Sequence, residues 1–294
     1  MKTRGFVTLI IFTVGWVFAG ATGRVARCPG AHDGSETWAS FSVEQGHRFT
    51  AADLVTIWNY LESIGPDSEE TASIKNNLLD RLVEQDPIPP GLGAKLLRFY
   101  RERSVSVIMR DYTLQHFAPY IVSMARRGDW QHDDDVLVMI GELQGALWNG
   151  EGVMGGSALL ALESLAPLGD TVTVSDVGTY AVNLASDGNR PAAVRVTAIQ
   201  AATRLGCKAV LRSARMAVRA DQPVSLRLAS VGCLGALGEM SDREELKRLQ
   251  KEDSSGHIRL AARRALEQQS RGDAAAKPHF LPVDFKTTRK GEKE

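Results

Sequence analysis

The feature that most constrains this chain is an internal repeat in its C-terminal half. An apolar residue followed by arginine recurs at Val194-Arg195, Leu226-Arg227 and Ile258-Arg259, so consecutive arginines lie 32 residues apart. A Leu-Gly pair recurs at a fixed distance after the first two arginines, at Leu205-Gly206 and Leu237-Gly238. A single repeated unit of this length cannot bury its own apolar face, so the copies must stack on one another.

The spacing inside each unit predicts α-helices. From Val194 and again from Leu226, apolar or small residues follow at intervals of four, three and four, which places them on one helix face. Small side chains on that face let neighbouring helices approach closely. The glycine of each Leu-Gly pair can end the helix in the left-handed conformation. A residue that can cap the helix start stands six positions before each arginine: Asn189, Asp221 and Asp253.

Residues 189–206, 221–238 and 253–266 resemble HEAT repeats of the phycobilisome-lyase-like kind, with Asp, a short gap, Val-Arg, alanines and a closing Leu-Gly. Met109-Arg110-Asp111-Tyr112 and Met154 to Leu165 resemble earlier, degenerate copies. The resemblance implies an all-α fold, an α-solenoid of antiparallel helix pairs with about 12 helices. It implies no activity, and the lyase function of some family members is not carried over.

The predicted α-solenoid covers residues 49–270, with degenerate pairs up to about residue 150 and clearer repeats over 151–270. Its first helix follows a capping box formed by Thr50 and Asp53. Further helices are expected at about 71–84, 91–103 and 104–125, and from the acidic residues before Val136 to Asn149. In the repeats, a second helix follows each arginine-bearing helix, at 208–220 and 242–252.

The N-terminus is typical of a secretory signal. Lys2 and Arg4 precede an apolar stretch, Phe6 to Ala19, which ends in the small residues Ala19-Gly20-Ala21. The stretch is shorter than the roughly 20 residues that span a bilayer. We therefore expect an exported protein, periplasmic or secreted, with residues 1–21 as a cleaved signal peptide, although retention as an anchor stays open. Residues 22–48 are expected to form an irregular connector, and 271–294 a disordered tail.

Composition excludes several classes of function. Lys plus Arg and Asp plus Glu each total 35, so no overall charge favours nucleic acid. The histidines and cysteines form no zinc motif, and no serine-nucleophile motif is present. Three cysteines, Cys28, Cys207 and Cys233, predict no disulfide framework, and the repeat spacing predicts Cys233 as a buried free thiol. We expect no cofactor, no bound metal and no catalytic activity.

Three local patterns have competing interpretations. Gly150 to Gly155 has the spacing of a dinucleotide-binding loop, but it follows a predicted helix rather than a strand, which favours a helix-to-helix turn. Asp129, His132 and Asp133 to Asp135 could ligate a metal, but acidic residues before a helix more often cap it. The polar residues from Arg110 to His116 could line a site, but hydrogen bonding between adjacent helices is favoured for His116.

The strongest local charge feature is a run of seven basic residues and no acidic one between Gly188 and Ala220. Four of them recur at helical spacing, on a strip about 60° wide: Lys208, Arg212, Arg215 and Arg219. This basic stripe is either a solvated helix face or an anion-binding surface.

The leading hypothesis is an exported scaffold that binds a protein or an anionic envelope polymer through this face, with no nucleic acid and no membrane span once the signal is removed. The alternative is an envelope enzyme, or an accessory subunit of one, with a site in the N-terminal helical half. A pocket with convergent polar groups within residues 50–150 would favour the alternative.

Overall fold

A computed structural model describes residues 48–63, 69–128, 130, 133–169 and 171–272. Within those residues all regular secondary structure is helical, so the predicted all-α fold class is confirmed. None of the helices in the described part is long and apolar enough to cross a membrane. The signal segment 1–21, the connector up to residue 47 and the tail from residue 273 lie outside the described residues, as does Cys28, and the statements about them stay predictions.

The described residues form thirteen α-helices, close to the number predicted. They are α1 Ala51–Leu61, α2 Glu69–Val83, α3 Leu92–Arg101, α4 Val107–Gln115, α5 Phe117–Ala125, α6 Asp134–Asn149, α7 Met154–Leu165, α8 Val174–Ser186, α9 Ala192–Arg204, α10 Leu211–Ala217, α11 Val224–Leu237, α12 Met240–Glu252 and α13 Gly256–Gly272. Short 3₁₀ segments follow α7 at Ala166–Leu168 and precede α10 at Lys208–Val210.

The helices pack in sequence order. The helices that carry the repeat arginines, and the earlier ones aligned with them, contact each other one after the next: α2, α4, α7, α9, α11 and α13. We call these the first helices. The helices between them, called the second helices, contact mainly one first helix each: α6 packs on α7, α8 on α9, α10 on α11 and α12 on α13. This serial order is the packing expected for stacked helical units.

The structure corrects the predicted pairing inside each unit. The repeat pattern pairs each arginine-bearing helix with the helix after it, but the extensive contacts join it to the helix before it, as in α8 with α9 and α12 with α13. The connection from α8 to α9 is a tight turn over residues 187–191, whereas α9 is followed by Gly206 and a 3₁₀ segment that lead the chain away. The predicted period is right, and the predicted unit boundary is one helix out of place.

Helix starts and breaks follow local chemistry. The capping box is confirmed, since Thr50 Oγ1 accepts from the Asp53 backbone N–H at 3.2 Å and the Asp53 carboxylate accepts from the Thr50 N–H at 2.8 Å. The single helix predicted over 104–125 is instead two, α4 and α5, with the break at His116. Pro119 explains the break, because it has no N–H for the carbonyl of Gln115 four residues earlier.

Candidate functional site

The repeat arginines join each first helix to the end of the helix before it. Arg195 Nε donates to the Ala185 carbonyl oxygen at 3.3 Å, and Arg227 Nε donates to that of Val218 at 3.0 Å. Both carbonyls lie at the end of a second helix, where the last backbone acceptors have no partner within the helix and the helix dipole favours a cation. These arginines therefore cap the preceding helix, a role that the repeat pattern alone does not reveal.

Other copies make equivalent contacts. Arg259 donates to the carbonyls of Asp253 and Ser254 just after α12, at 2.6 and 3.2 Å, and Arg110 Nε donates to the Tyr100 carbonyl at 3.2 Å. In α7 the corresponding residue is Gly155, and a Cβ there would lie 3.1 Å from the carbonyl oxygen of Leu147 near the end of α6. At this position α6 and α7 approach each other directly, without an arginine side chain between them. The recurring arginine is the sequence signal for this role, but the partner carbonyls cannot be read from the repeat.

The predicted capping of the first helices is wrong. The N-cap residues of α9 and α11 are Pro191 and Pro223, whose side chains accept no hydrogen bond. Asp253 instead forms an ion pair with Arg227, and the two side chains are only 5% and 4% exposed. The acidic residue of one unit thus neutralises the arginine of the unit before it. The three residues predicted as caps stand elsewhere in the turns: Asn189, Asp221 and Asp253.

The two Leu-Gly glycines do different things. Gly206 has φ +69°, the left-handed conformation that the sequence predicts. Gly238 has φ −64° and extended backbone, so the prediction is wrong for that position. A side chain on Gly238 would overlap the carbonyl oxygen of Leu234, which shows that close approach rather than backbone conformation favours glycine there.

The basic stripe does not lie on one regular α-helix. Lys208 begins the 3₁₀ segment, Arg212 and Arg215 lie in α10, and Arg219 follows its end. The 100° rotation per residue used in the prediction does not hold across a 3₁₀ turn. All four residues are nevertheless exposed.

Acidic residues from neighbouring segments neutralise half of the stripe. The Arg215 guanidinium forms two hydrogen bonds with the Asp242 carboxylate, at 2.7 and 3.0 Å, and one with Glu239 at 3.0 Å. Arg215 holds the pKa of Asp242 below its usual range. Arg219 lies 3.4 Å from Asp221.

The other half of the stripe keeps its charge. Lys208 and Arg212 take part in no ion pair within the part of the chain that the structure describes. Met216 follows Arg212 by one helical turn and is 62% exposed. We call these three residues the cationic patch. It combines two unneutralised cations with an apolar side chain.

A cavity of about 290 Å³, lined by both polar and apolar side chains, lies in the N-terminal half, within the range where the alternative hypothesis expects a site. The ends of α1 and α3 meet there with the middle of α2 and the turn before α4. Its charged lining residues are Glu62, Lys75, Arg98 and Glu102, and Ser104 and Ser106 add hydroxyl groups. Lys75 is only 4% exposed, and its ammonium donates to the Ser63 carbonyl at 3.2 Å.

The acidic residues before α6 act as helix caps. Asp133 accepts from the Val136 N–H at 3.1 Å, as predicted. Asp135 bonds to the backbone of Ala94 near the start of α3, and Tyr120 bonds to that of Gly93, where a Cβ would lie 2.7 Å from the Tyr120 hydroxyl. Burial and the neighbouring carboxylates raise the pKa of Tyr120 to about 12, so its hydroxyl stays protonated at neutral pH.

Two other predictions concern metals and nucleotides. No group of three or more potential metal ligands exists among the described residues, while Asp129 and His132 lie outside them. Gly150 to Val153 form the turn between α6 and α7, with helix rather than strand before it. The favoured interpretation, a helix-to-helix turn, is therefore confirmed, and the dinucleotide-loop interpretation is wrong.

Two buried polar residues lie on α4 and at its end. His116 hydrogen-bonds to the Tyr112 carbonyl at 2.7 Å through Nδ1 and to the Asp80 carboxylate on α2 at 2.9 Å through Nε2. The predicted link between helices is confirmed. Asp111 is 7% exposed, and its Oδ1 has no hydrogen-bond partner. Its Oδ2 accepts from Gln115 at 2.9 Å, and burial raises the pKa of Asp111.

The two described cysteines are free thiols. Cys233 is 1% exposed on the packed face of α11, which confirms the prediction for that residue. Cys207 is partly buried, and its sulfur occupies the space beside Gly178, where a Cβ would lie 2.6 Å from it. Burial raises the pKa of both thiols, so neither has the features of a reactive nucleophile.

No protein-family model matches this chain. No curated protein matches it either. One similar solved structure is that of human deoxyhypusine hydroxylase in complex with glycerol, 12% identical, with a TM-score of 0.35; the match covers 80% of this chain and 96% of that one. This likeness is too weak to assign an activity to the present chain.

The hydroxylase does correct one expectation. The sequence patterns led us to expect no catalytic activity, and the protein matched over most of this chain is by its name an enzyme. Because function is set by particular sites and not by architecture, a helical fold gives no ground for excluding catalysis. The expectation that the chain has no catalytic activity therefore does not stand.

Proposed function

We propose that this protein is an exported helical-repeat protein that binds an acidic protein segment at the cationic patch. The observation that carries the proposal is the contrast within the basic stripe: Arg215 and Arg219 have acidic partners in the chain, whereas Lys208 and Arg212 have none among the described residues. Exposed like charges repel, and an acidic ligand removes that repulsion.

Met216 favours a protein segment over an anionic polymer as the partner. Its exposed side chain lies one helical turn from Arg212 and offers an apolar contact. A peptide with acidic and apolar residues can use both the charge and that contact, whereas a purely anionic polymer gains only from the charge. The proposed partner is therefore an acidic segment that also carries apolar side chains.

The test uses two probes. One is a 20-residue peptide in which Glu segments alternate with Leu-containing segments, and the other is polyglutamate of equal length. We expect the mixed peptide to bind wild type more tightly, with affinity falling steeply as salt increases. Lys208→Gln with Arg212→Gln should weaken binding of both probes about tenfold or more, and Met216→Ser should weaken only the mixed peptide. A matched control removes two exposed cations that already have acidic partners on α12, Lys247→Gln with Arg248→Gln.

The control must bind like wild type for the proposal to stand. Equal loss in the control and the patch variant would mean that net charge alone is responsible. Binding of polyglutamate as tight as that of the mixed peptide would identify an anionic polymer as the partner class. Absence of salt-dependent binding by either probe would leave the stripe as a solvated helix face.

Export is a separate part of the proposal. Lys2, Arg4 and the apolar stretch from Phe6 to Ala19 support processing after Ala21. N-terminal sequencing of the protein recovered from the cell envelope or medium should give Thr22 as the first residue. Recovery of intact Met1 in the membrane fraction would identify the segment as an anchor instead.

A second candidate function is favoured by the cavity beside Lys75. A small-molecule site in the N-terminal half would suit the envelope enzyme, or accessory subunit, of the alternative hypothesis. Such sites are concave and combine apolar walls with a few convergent polar groups, as Leu61, Phe99 and Val105 do here with the charged residues.

A further inference from the structure

The outer face of α6 differs from that of α12, another second helix. Eight of the thirteen residues of α12 are charged, and exposed pairs such as Lys247 with Glu244 bind each other on its surface. From Val136 to Asn149 in α6 the sequence has one charged residue, Glu142, and the Arg101 guanidinium at the end of α3 neutralises it at 2.6 Å. The outer face of α6 is therefore almost free of charge.

Apolar side chains and glycines cover this face instead. Leu137, Val138 and Trp148 are 47%, 37% and 40% exposed. Gly141 and Gly145 lie between them, and among the described residues a Cβ at either position would meet nothing within 4 Å. At 100° per residue the five fall in a strip about 100° wide, on the side opposite the buried residues of the helix. Glycines four residues apart let the backbone of a second helix approach closely.

Trp148 is held in place although it is exposed. Its ring packs edge to face on that of Tyr180 in α8, with the centroids 6.1 Å apart. Its carbonyl oxygen accepts from Arg190 Nη2 at 2.7 Å, which fixes the end of α6. Tryptophan is enriched among the residues that dominate protein interfaces, and a side chain that is already ordered loses little freedom when a partner covers it. Trp148 can therefore contact a partner without being reordered.

The face matches itself under a two-fold rotation. Along the helix, the midpoint between Leu137 and Trp148 and the midpoint between Gly141 and Gly145 coincide within one residue. When two copies of α6 lie antiparallel about that point, the glycines of one copy face those of the other. At both ends of the contact, Trp148 of one copy then lies against Leu137 of the other. A two-fold interface requires this symmetry, because the same patch is used on both copies.

We propose that α6 is the contact surface of a two-fold homodimer in which the α6 helices of two copies pack antiparallel. The residues of this face nearest the axis are glycines, so no like charges meet there. A single pair of helices buries less than the roughly 800 Å² per partner of a standard interface, so the dimer is weak, with a Kd on the order of 100 µM. The inference is independent of the cationic patch and of the N-terminal cavity.

Sedimentation velocity of the purified full chain, from micromolar to millimolar concentration, tests the proposal. We expect a reversible change from monomer to dimer that ends at twice the monomer mass. Because the contact is apolar, sodium chloride should not weaken it, whereas association through the cationic patch would weaken as salt screens the charges.

Two glycine variants make a matched pair. In Gly141→Arg two arginines meet across the axis, and we expect at least tenfold weaker dimerisation. Gly232→Arg is the control: Gly232 is exposed within α11, a Cβ there would also meet nothing within 4 Å, and dimerisation should be unchanged. Trp148→Ala should weaken dimerisation about tenfold. Circular dichroism checks that each variant is folded.

Folded wild-type protein that stays monomeric at millimolar concentration would overturn the proposal. Equal weakening by Gly141→Arg and Gly232→Arg would also overturn it, because the effect would then follow net charge rather than the α6 face. Growth beyond the dimer with rising concentration would contradict it too, since a two-fold interface closes after two copies. Association that disappears as salt is added would assign the contact to charged groups instead of α6.

Discussion

The helices up to Asn149 and those from Met154 onward bury side chains of different sizes between them. Every buried aromatic side chain in the described residues lies between Trp58 and Trp130. In contrast, twelve of the fifteen buried alanines lie after Met154. The N-terminal region fills its core with large residues of varied shape, whereas the C-terminal region brings helix backbones close together over small ones.

The two regions also differ in how regularly their contacts repeat. The arginine contact recurs in the C-terminal region at Arg195, Arg227 and Arg259, and the N-terminal region has one copy of it at Arg110. A cavity lies in the N-terminal region, among residues at the ends of its helices. The partner surface proposed at the cationic patch thus lies in the regular region, and the cavity of the second proposed function lies in the irregular one.

The largest expected effect tests the ion pair between units in the regular region. Arg227→Met leaves Asp253 charged and buried, so we expect a loss of about 3–5 kcal/mol in the free energy of unfolding. Arg110→Met in the irregular region removes a carbonyl cap and a partly exposed contact to Glu151, and should cost about 1 kcal/mol. Urea unfolding of both variants measures the two values. Equal losses would show that the arginines contribute alike in both regions.

The second prediction compares glycines. Gly235 packs so closely against α13 that a Cβ would lie 2.7 Å from that of Ala265, so Gly235→Ala should destabilise the protein by about 1–3 kcal/mol. A Cβ added at Gly141 in α6 would meet nothing within 4 Å, and Gly141→Ala should stabilise by about 0.5–1 kcal/mol. Thermal unfolding midpoints should therefore shift in opposite directions. A neutral Gly235→Ala would mean that the two helices can move apart.

The third prediction concerns Asp111 in the irregular region. Burial raises its pKa in the folded state above the value of about 4 that it has in the unfolded state. The wild type therefore loses stability as pH rises from the unfolded-state pKa through the folded-state pKa. Asp111→Asn has no buried charge, and we expect it to be about 1 kcal/mol more stable at pH 7. Unfolding measured from pH 3 to pH 8 should show the difference vanishing at the acid end. A constant difference at all pH values would attribute it to packing.

The smallest effect is kinetic and concerns the two cysteines of the regular region. Cys233 lies in the packed face of α11 and should stay unmodified by a thiol reagent until the protein unfolds. Cys207, which is partly buried after α9, should react first. Peptide mapping by mass spectrometry separates both from Cys28. Early modification of Cys233 would show that α11 opens locally.

Much of the fold could be predicted because the signals are local. The period of 32 residues, the small residues at helical spacing and the Thr50 capping box each act within one helix or one unit, and the helical fold and buried Cys233 follow from them. The predictions that were wrong concern contacts between segments that are far apart in the sequence. Arg215 was assigned to a free stripe because its partner Asp242 lies 27 residues later in another helix.

The cavity could not be predicted from the sequence for the same reason. Lys75 and Glu102 stand on unrelated helices with no shared motif, and only the tertiary structure brings them to one wall. The sequence by itself determined that this chain forms stacked helices, because helix formation depends on neighbours within a few residues and stacking on a repeated apolar face. Only the tertiary structure decided which helices pair, which charges are neutralised and where a site can exist, because those outcomes depend on distances between residues that the order of amino acids does not contain.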